Sequence, residues 1–502
     1  MPIFRRKTTI TSEGITMKYF LAIDLGTTGC RSMLFDESLS LLSSEYKEYG
    51  LIAPRADWYE QDANLWWTLS KETMDAAMAK AGIDRRLVRA ISISSQGISI
   101  VPVDESLTPL RTALSWMDGR AVDETKLVAD TLGDEETYTL TGKRVLSAYS
   151  LPKIIWIKNN QPEIWEKTYK LLMPLDFLTA CLTGNTVTDP SMASGTLLYD
   201  IKAGVWHDGT LDTFGIPKSM LAEIRPAGSL AGYVLPEVAK ELGLSESCAV
   251  SIGAQDQRCA ALGAGLDTDS ITVSLGTAAA ICKMWNTCDN ENNRSVGWSP
   301  YIYPNTFVTE GVCNTAGATL RWLRDIMYSC VSYKTIDEEA ESARERGTDV
   351  IFHPYMSPCP YPRYSVDATG SFHGLSMATT RGDFANAVME GVAFQVTEIL
   401  EIMDKSNSAS KLVLFGGGAV SKLWQQIFAD ATGKEILVPA IAEAAGVGAA
   451  ILAGVGTGDF DLNNLPKMPL TSSTNPGKHH LETRQRYAKF LALEDSLAKG
   501  AK

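Results

Sequence analysis

The chain has 502 residues, 45% apolar and 21% charged, which is the composition of an ordinary globular protein long enough to bury two large cores. Its net charge of -13 argues against a surface built for nucleic acid or another polyanion, and no apolar run approaches the ~20 residues of a membrane helix. Nine scattered cysteines without a C-x-x-C pair indicate neither a zinc site nor a disulfide framework, so a reducing cytoplasm is the expected location.

The basic opening around Arg5, Arg6 and Lys7 lacks the apolar segment of a signal peptide, and residues 1–17 read as a flexible arm ending at a second methionine, Met17. Residues 19–36 read as a hairpin: strand, Gly/Thr turn, strand. Gly26 and Gly29 let backbone N–H groups approach an anion, Thr27, Thr28 and Arg31 add donors, and Asp24 can hold Mg2+ through water. A plain hairpin with an Asx-type turn accounts for the same residues equally well. Trp58, Trp66 and Trp67 suit either core packing or stacking on a sugar. A strand over 88–95 ends at Ser94-Ser95-Gln96-Gly97 and presents a polar loop. Trp116, Asp118 and Arg120 then offer an apolar wall, an acceptor for vicinal hydroxyls and a cation to orient it, or else only an Asp-Gly turn with an ion pair. Residues 151–165 carry helical periodicity closed by Pro162. Asp176, Asp189 and the run Ser194-Gly195-Thr196 are loop-like and could reach a cleft. Residues 200–248 carry no chemistry that can be singled out.

The middle of the chain, residues 253–277, repeats the start. F-L-A-I-D-L-G-T at residues 20–27 and S-I-T-V-S-L-G-T at 270–277 are each an apolar run, one polar residue, then Leu-Gly-Thr. Two such segments indicate an internal duplication and two related halves facing each other. Asp256 precedes the second half in a small-residue setting, where it is a candidate catalytic base or a helix N-cap. The Gly276-Thr277 turn mirrors the first hairpin without its acid and arginine. Asn314 to Gly317 lead into a helix, residues 355–362 form a proline-rich loop, and His353 and His373 suit structural roles. A helix over 384–403 precedes a strand over 411–415. The turn Gly416-Gly417-Gly418-Ala419 then lets a flat adenine or ribose lie on backbone before a helix opening at Ser421. Residues 443–450 read as a small-residue helix packing closely under that site. Residues 481–502 read as a charged helix, with His479 and His480 in an exposed linker.

Together these motifs resemble the FGGY carbohydrate kinases, within the actin, hexokinase and Hsp70 superfamily, from residue 19 to about 456. Residues 24–31 are similar to that family's first phosphate loop, Asp256 to its catalytic aspartate, and Gly276-Thr277 to its second phosphate loop. Gly416 to Ala419 with Ser421, Trp424 and Gln425 are similar to its adenosine segment. The resemblance implies an α/β fold of two ribonuclease-H-like domains: 18–265 for sugar and phosphate, 266–502 for adenosine, with a cleft between them. It implies ATP held at Thr27, Thr28, Arg31, Gly276, Thr277, Gly317, Gly416, Gly417, Gly418 and Ala419, and Mg2+ at Asp24 and Asp256. A small sugar or polyol is implied at Gln96, Gly97, Trp116, Asp118, Arg120, Tyr149, Asp256 and Gln257. It also allows a homodimer.

The W-M-D-G-R and G-G-G-A-x-S-x-x-W-x-Q patterns look closer to the xylulokinase branch than to glycerol kinase, so a ketopentose such as xylulose is the first expected acceptor. Two departures stand out. After Gln96 this chain has Gly97-Ile98, where xylulokinases usually place Met-His and glycerol kinases Arg-Glu, and it has Ala445-Gly446-Val447 where Ala-Leu-Gly is usual. The first removes a hydroxyl-binding side chain and leaves glycerol, erythrulose, erythritol or gluconate as alternatives. An actin- or Hsp70-like ATPase would need no polyol wall, and an inactive sugar-binding regulator would have lost Asp24 or Asp256.

Overall fold

The computed structural model describes residues 17–329, 331–356, 369–441, 443–466 and 468–500, with side chains up to 494. All of the expected arm at 1–17 except Met17, most of the 355–362 loop and the final residues lie outside the described residues.

The apolar run behind the first turn becomes β1 (Tyr19–Leu25), where Phe20 to Ile23 are wholly buried, as a strand covered on both faces requires. It pairs antiparallel with β2 (Gly29–Asp36), which pairs with β3 (Leu41–Glu48). Helix α1 (Ala63–Ala81) leads to β4 (Val88–Ser95), parallel to β1. The helix expected within 151–165 and closed by Pro162 is α2 (Ser150–Asn160), and residues 162–165 form a separate turn, because Pro162 cannot donate into the first helix. β5 (Leu230–Tyr233), β6 (Ala249–Ser251) and β7 (Ala254–Gln255) complete a sheet of order β5-β6-β4-β1-β2-β3, with β7 beside the end of β4.

After α3 (Asp256–Gly263) the pattern recurs. β8 (Ser270–Leu275), β9 (Ala279–Trp285), β10 (Gly297–Pro300) and β11 (Phe307–Cys313) precede α4 (Gly317–Met327) and α5 (Arg381–Met403). β12 (Lys411–Phe415), α6 (Lys422–Thr432), β13 (Glu435–Pro439), α7 (Ala444–Gly456), β14 (Leu470–Thr474) and α8 (His480–Gly500) follow. The second sheet runs β10-β11-β9-β8-β12-β13-β14. The antiparallel meander β8-β9-β11, with β12 parallel to β8 and β13 parallel to β12, repeats β1-β2-β3-β4-β6. The duplication read from two Leu-Gly-Thr segments therefore extends to whole sheets.

The two halves exchange a helix at their junction. Val447 and Ala449 to Ala453 of α7 pack on Phe20, Ala22 and Met33 of the first sheet, whereas Ala260 and Ala264 of α3 pack on Val413 and Phe415 of the second. The helices touch backbone to backbone: a Cβ at Gly448 would lie 2.0 Å from Cys259 O, and one at Gly263 would lie 2.0 Å from Ala444 O. The small-residue stretch thus joins the halves and is more than a floor under one site.

Two further expectations change. α5 starts at Arg381, three residues early, because Thr380 and Asp383 form a capping box in which the Thr380 N–H donates to Asp383 Oδ2 at 2.8 Å. His479 and His480 are no exposed linker: His480 Nδ1 lies 2.8 Å from Asp430 O, and His479 sits between Glu345 and Glu482. His353 is structural as expected, wholly buried and stacked on Phe490. No helix among the described residues is long and apolar enough to cross a membrane.

Candidate active site

The β1–β2 turn is braced from behind. The Gly26 N–H donates to Gly29 O at 2.9 Å, the Tyr49 hydroxyl to Gly26 O, and the Gln61 amide to Thr27 O at 2.7 Å. Thr28 is left exposed at the tip. The hairpin register sets Asp24 directly across from Arg31. Asp24 accepts from Ser94 Oγ at 2.8 Å, and its enclosure pushes its pKa up to about 6. The Ser94 bond and Arg31 oppose that shift, while the carboxylate of Glu443 adds to it.

Asp256 lies where β7 passes into α3, as the first helical residue rather than the N-cap. Gln255 is the cap, its Oε1 accepting from the Gln257 N–H at 3.1 Å. Asp256 Oδ1 accepts from the same N–H at 2.7 Å and from the Gln255 amide. Lost hydration raises the Asp256 pKa to about 7, and the negative charge of Asp24 is the next contribution. The structure therefore brings the two acids singled out in the sequence into one field. Arg258, one further turn residue along, is buried and bonds Glu310 at 2.7 Å, so β11 of the second half ties down the helix that carries Asp256. Nothing in the sequence marks this pair, since its members lie in different halves.

In the first half Trp116 is partly exposed, and its indole N–H donates to Thr27 Oγ1 at 3.0 Å, linking the W-M-D-G-R segment to the β1–β2 turn. Asp118 is almost fully buried, and each of its oxygens already accepts two hydrogen bonds: Oδ1 from Arg120 N and Nε, Oδ2 from Arg120 Nη2 and Tyr59 N. The ion-pair reading of W-M-D-G-R is thus the observed one, and a sugar hydroxyl reaches Asp118 only by exchanging a partner. Arg120 also bonds Glu60 and lies over Trp58 at 3.9 Å and Trp156 at 4.9 Å, so Trp58 serves packing rather than an open stacking face. Trp66 is core, edge-on to Phe177.

Gln96 is buried, donating to Gln61 Oε1 at 3.1 Å, with its own Oε1 unpartnered. Gly97 lies against Gln255, and the next residue carries strain: Ile98 has φ +73°, with the Ser99 N–H donating to Gly97 O at 2.8 Å across it. A β-branched residue in that region is rare, and such strain collects at functional sites. The position where the sequence departs from the family pattern thus carries an unusual backbone in this chain. Tyr149 caps α2, and the buried Lys153 ammonium reaches back to Ser147 O at 2.8 Å and to Ala148 O. Burial pushes the Lys153 pKa down to about 7, with nearby Asp118 opposing. Gln257 sits in the first turn of α3. Asp189 caps a short helix, taking the Ser191 and Met192 N–H groups, and Ser191 Oγ accepts from the Gln255 N–H, so this segment braces the turn that leads into Asp256.

In the second half a cavity of about 1090 Å³ is lined by Gly276, Thr277, Gly317, Gly417 and Gly418, with Ser421, Arg321 and Tyr333 around them. Gly416 and Ala419 stand behind it: Gly416 makes the turn at φ +91°, and Ala419 is buried with its carbonyl held by the Gln425 amide at 2.7 Å. Ser421 caps α6 by accepting from the Trp424 N–H at 3.1 Å. Gly317 has a packing role, because its N–H is taken by Gly276 O at 2.9 Å and a Cβ would lie 2.4 Å from that oxygen. Among the described residues no group of three or more His, Cys, Asp or Glu side chains could hold a metal by itself.

Comparison with known proteins places these features in a common frame. The N-terminal domain of the FGGY family of carbohydrate kinases matches residues 19–263, and its C-terminal domain matches residues 271–457. The xylulose kinase of Staphylococcus xylosus is 29% identical over 451 residues, 89% of this chain and 93% of that one. The gluconokinase of Bacillus subtilis is 28% identical over 461 residues, 88% of each chain. Among solved structures, a "xyloylose kinase" from Brucella ovis superposes with a TM-score of 0.88 at 26% identity, covering 96% of this chain and 99% of that one.

Proposed function

The chain belongs to the FGGY family of carbohydrate kinases and is an ATP-dependent sugar phosphotransferase, and we propose that its acceptor is a ketopentose, xylulose. The observation that carries the reading is Asp256: an enclosed carboxylate at the start of α3, near enough to Asp24 to feel its charge, with a pKa raised to about 7. A base of that strength accepts a hydroxyl proton at neutral pH. The hydroxyl oxygen bonds the γ-phosphorus as the bond to the ADP oxygen breaks, and the released proton resides on Asp256. Because that transition state is loose, positioning and charge neutralisation dominate, and Thr27, Thr28, Arg31, Gly276 and Thr277 supply them. The glycine turn at Gly416 to Gly418 and the cavity in front of it take the adenosine.

Mg2+ fits this donor set. With few carboxylates at hand, a cation that keeps waters and leans on substrate phosphates is the kind that suits Asp24 and Asp256. Bound there, it would neutralise phosphate charge. Xylulose is favoured over gluconate because the basic groups around Asp118 are spent, Arg120 on Asp118 and Glu60, Arg111 on Glu60, Lys153 on backbone carbonyls, leaving none of these three for a substrate carboxylate. We take residues 18–265 and 266–502 as the two domains, joined by the exchanged helices, and expect a cytoplasmic enzyme, with a homodimer as its assembly.

A coupled ADP-release assay with Mg-ATP across xylulose, other ketopentoses, erythrulose, erythritol, glycerol and gluconate tests the acceptor. Xylulose is expected to give the highest kcat/KM; a gluconate or glycerol preference would overturn the assignment. Trp116→Ala is expected to raise the acceptor KM by about tenfold, since the wall and its tie to Thr27 go together. An unchanged KM would remove Trp116 from the acceptor site.

A further inference from the structure

Glu443 stands immediately before α7, the counterpart in the second half of the helix that begins with Asp256. Its carboxylate reaches across the junction to the first half and pairs with Arg31 Nη1 at 3.2 Å. Arg31 has otherwise only a weak hold, a 3.3 Å bond to Ser44 Oγ and the face of Tyr46 at 5.0 Å, with Asp24 across the hairpin. Both members of the pair are about one-third exposed, so the pair is easily exchanged. Glu443 is also close enough to Asp24 to raise its pKa.

We propose that Glu443 is a positioning residue that occupies Arg31 in the nucleotide-free enzyme and yields it to the terminal phosphates of ATP. A guanidinium recognises carboxylate and phosphate through the same donors, so one anion replaces the other. The exchange has a structural consequence. The Arg31–Glu443 pair ties the start of α7 to the first hairpin, so its replacement by phosphate couples nucleotide arrival to the tie between the halves. Removal of the carboxylate also removes an anion that repels the incoming phosphates. This inference rests on the assignment of residues 24–31 as a phosphate turn.

The test compares wild type, Glu443→Gln, Glu443→Asp and the double variant Glu443→Gln with Arg31→Ala, by calorimetric titration with ATP and with adenosine. Glu443→Gln is expected to bind ATP about three- to tenfold tighter, with adenosine affinity unchanged, Glu443→Asp close to wild type, and no gain in the Arg31→Ala background. Unchanged ATP affinity in Glu443→Gln would overturn the proposal. So would weaker binding confined to titrations with Mg2+, which would make Glu443 a support for the metal. If wild type binds adenosine and ATP equally, the phosphate turn itself is misassigned and the fault lies with the functional reading.

Discussion

Asp256→Asn is expected to lower phosphoryl transfer by about 10² to 10⁴ while leaving the dissociation constant for ATP, titrated without Mg2+, within about twofold. The geometry separates the two effects. Asp256 is in the first turn of α3, whereas the glycines that line the large cavity belong to the turn after β8, the start of α4, the turn after β12 and the segment between β14 and α8. Folding is expected to survive, because Asn keeps the shape and the acceptor oxygen for the Gln257 N–H and discards a charge that burial and Asp24 both disfavour. The sign of the pH effect follows from the raised pKa. Between the ordinary carboxylate value and about 7 the folded chain binds the extra proton, so this group's contribution to stability is full at low pH and is lost as pH rises through about 7. Melting curves of the nucleotide-free protein at several pH values should show a wild-type decline across that window that Asp256→Asn flattens. Substantial transfer by the Asn variant would remove Asp256 from its role.

Gly448→Val is the change expected to cost the fold most. Its Cβ would stand 2.0 Å from a backbone oxygen of Cys259, which cannot rotate aside. α7 must then move off α3, opening the joint between the sheets, at a cost on the order of 3 kcal/mol or more. The same movement displaces the helix bearing Asp256. Denaturation and kinetics should therefore both suffer: a lowered unfolding midpoint together with a reduced kcat. A variant with native stability would show that the helices have room to separate.

The features legible in the sequence were those with local signatures. β1, the Gly/Thr turn and β2 were readable because an apolar run, two glycines and hydroxyls adjoin one another, and the repeat at 270–277 announced two similar sheets. β4 and β12 were found at their observed bounds, bracketed by polar or glycine turns. Asp256 stood out by its small-residue surroundings, although its place inside the helix rather than before it depends on Gln255, a weaker capping type, taking the cap. What escaped depends on contacts between distant segments. Asp118 reads equally as an open acceptor or as the ion-pair partner of Arg120, and the bond from Tyr59, a residue far from it in sequence, is legible in neither reading. Glu443 reads as the edge of a small-residue helix until that helix is seen to cross onto the other half beside Arg31. The Arg258–Glu310 pair joins a helix of one half to a strand of the other, and periodicity carries no information about such a meeting.

The most direct test of the central claim is a phosphorus NMR spectrum of the products after incubation with Mg-ATP and xylulose, beside a sample without xylulose. The account predicts a sugar phosphate ester appearing in step with ADP, dependent on xylulose and lost in Asp256→Asn. ADP accompanied only by inorganic phosphate, at equal rates with and without the sugar, would contradict it.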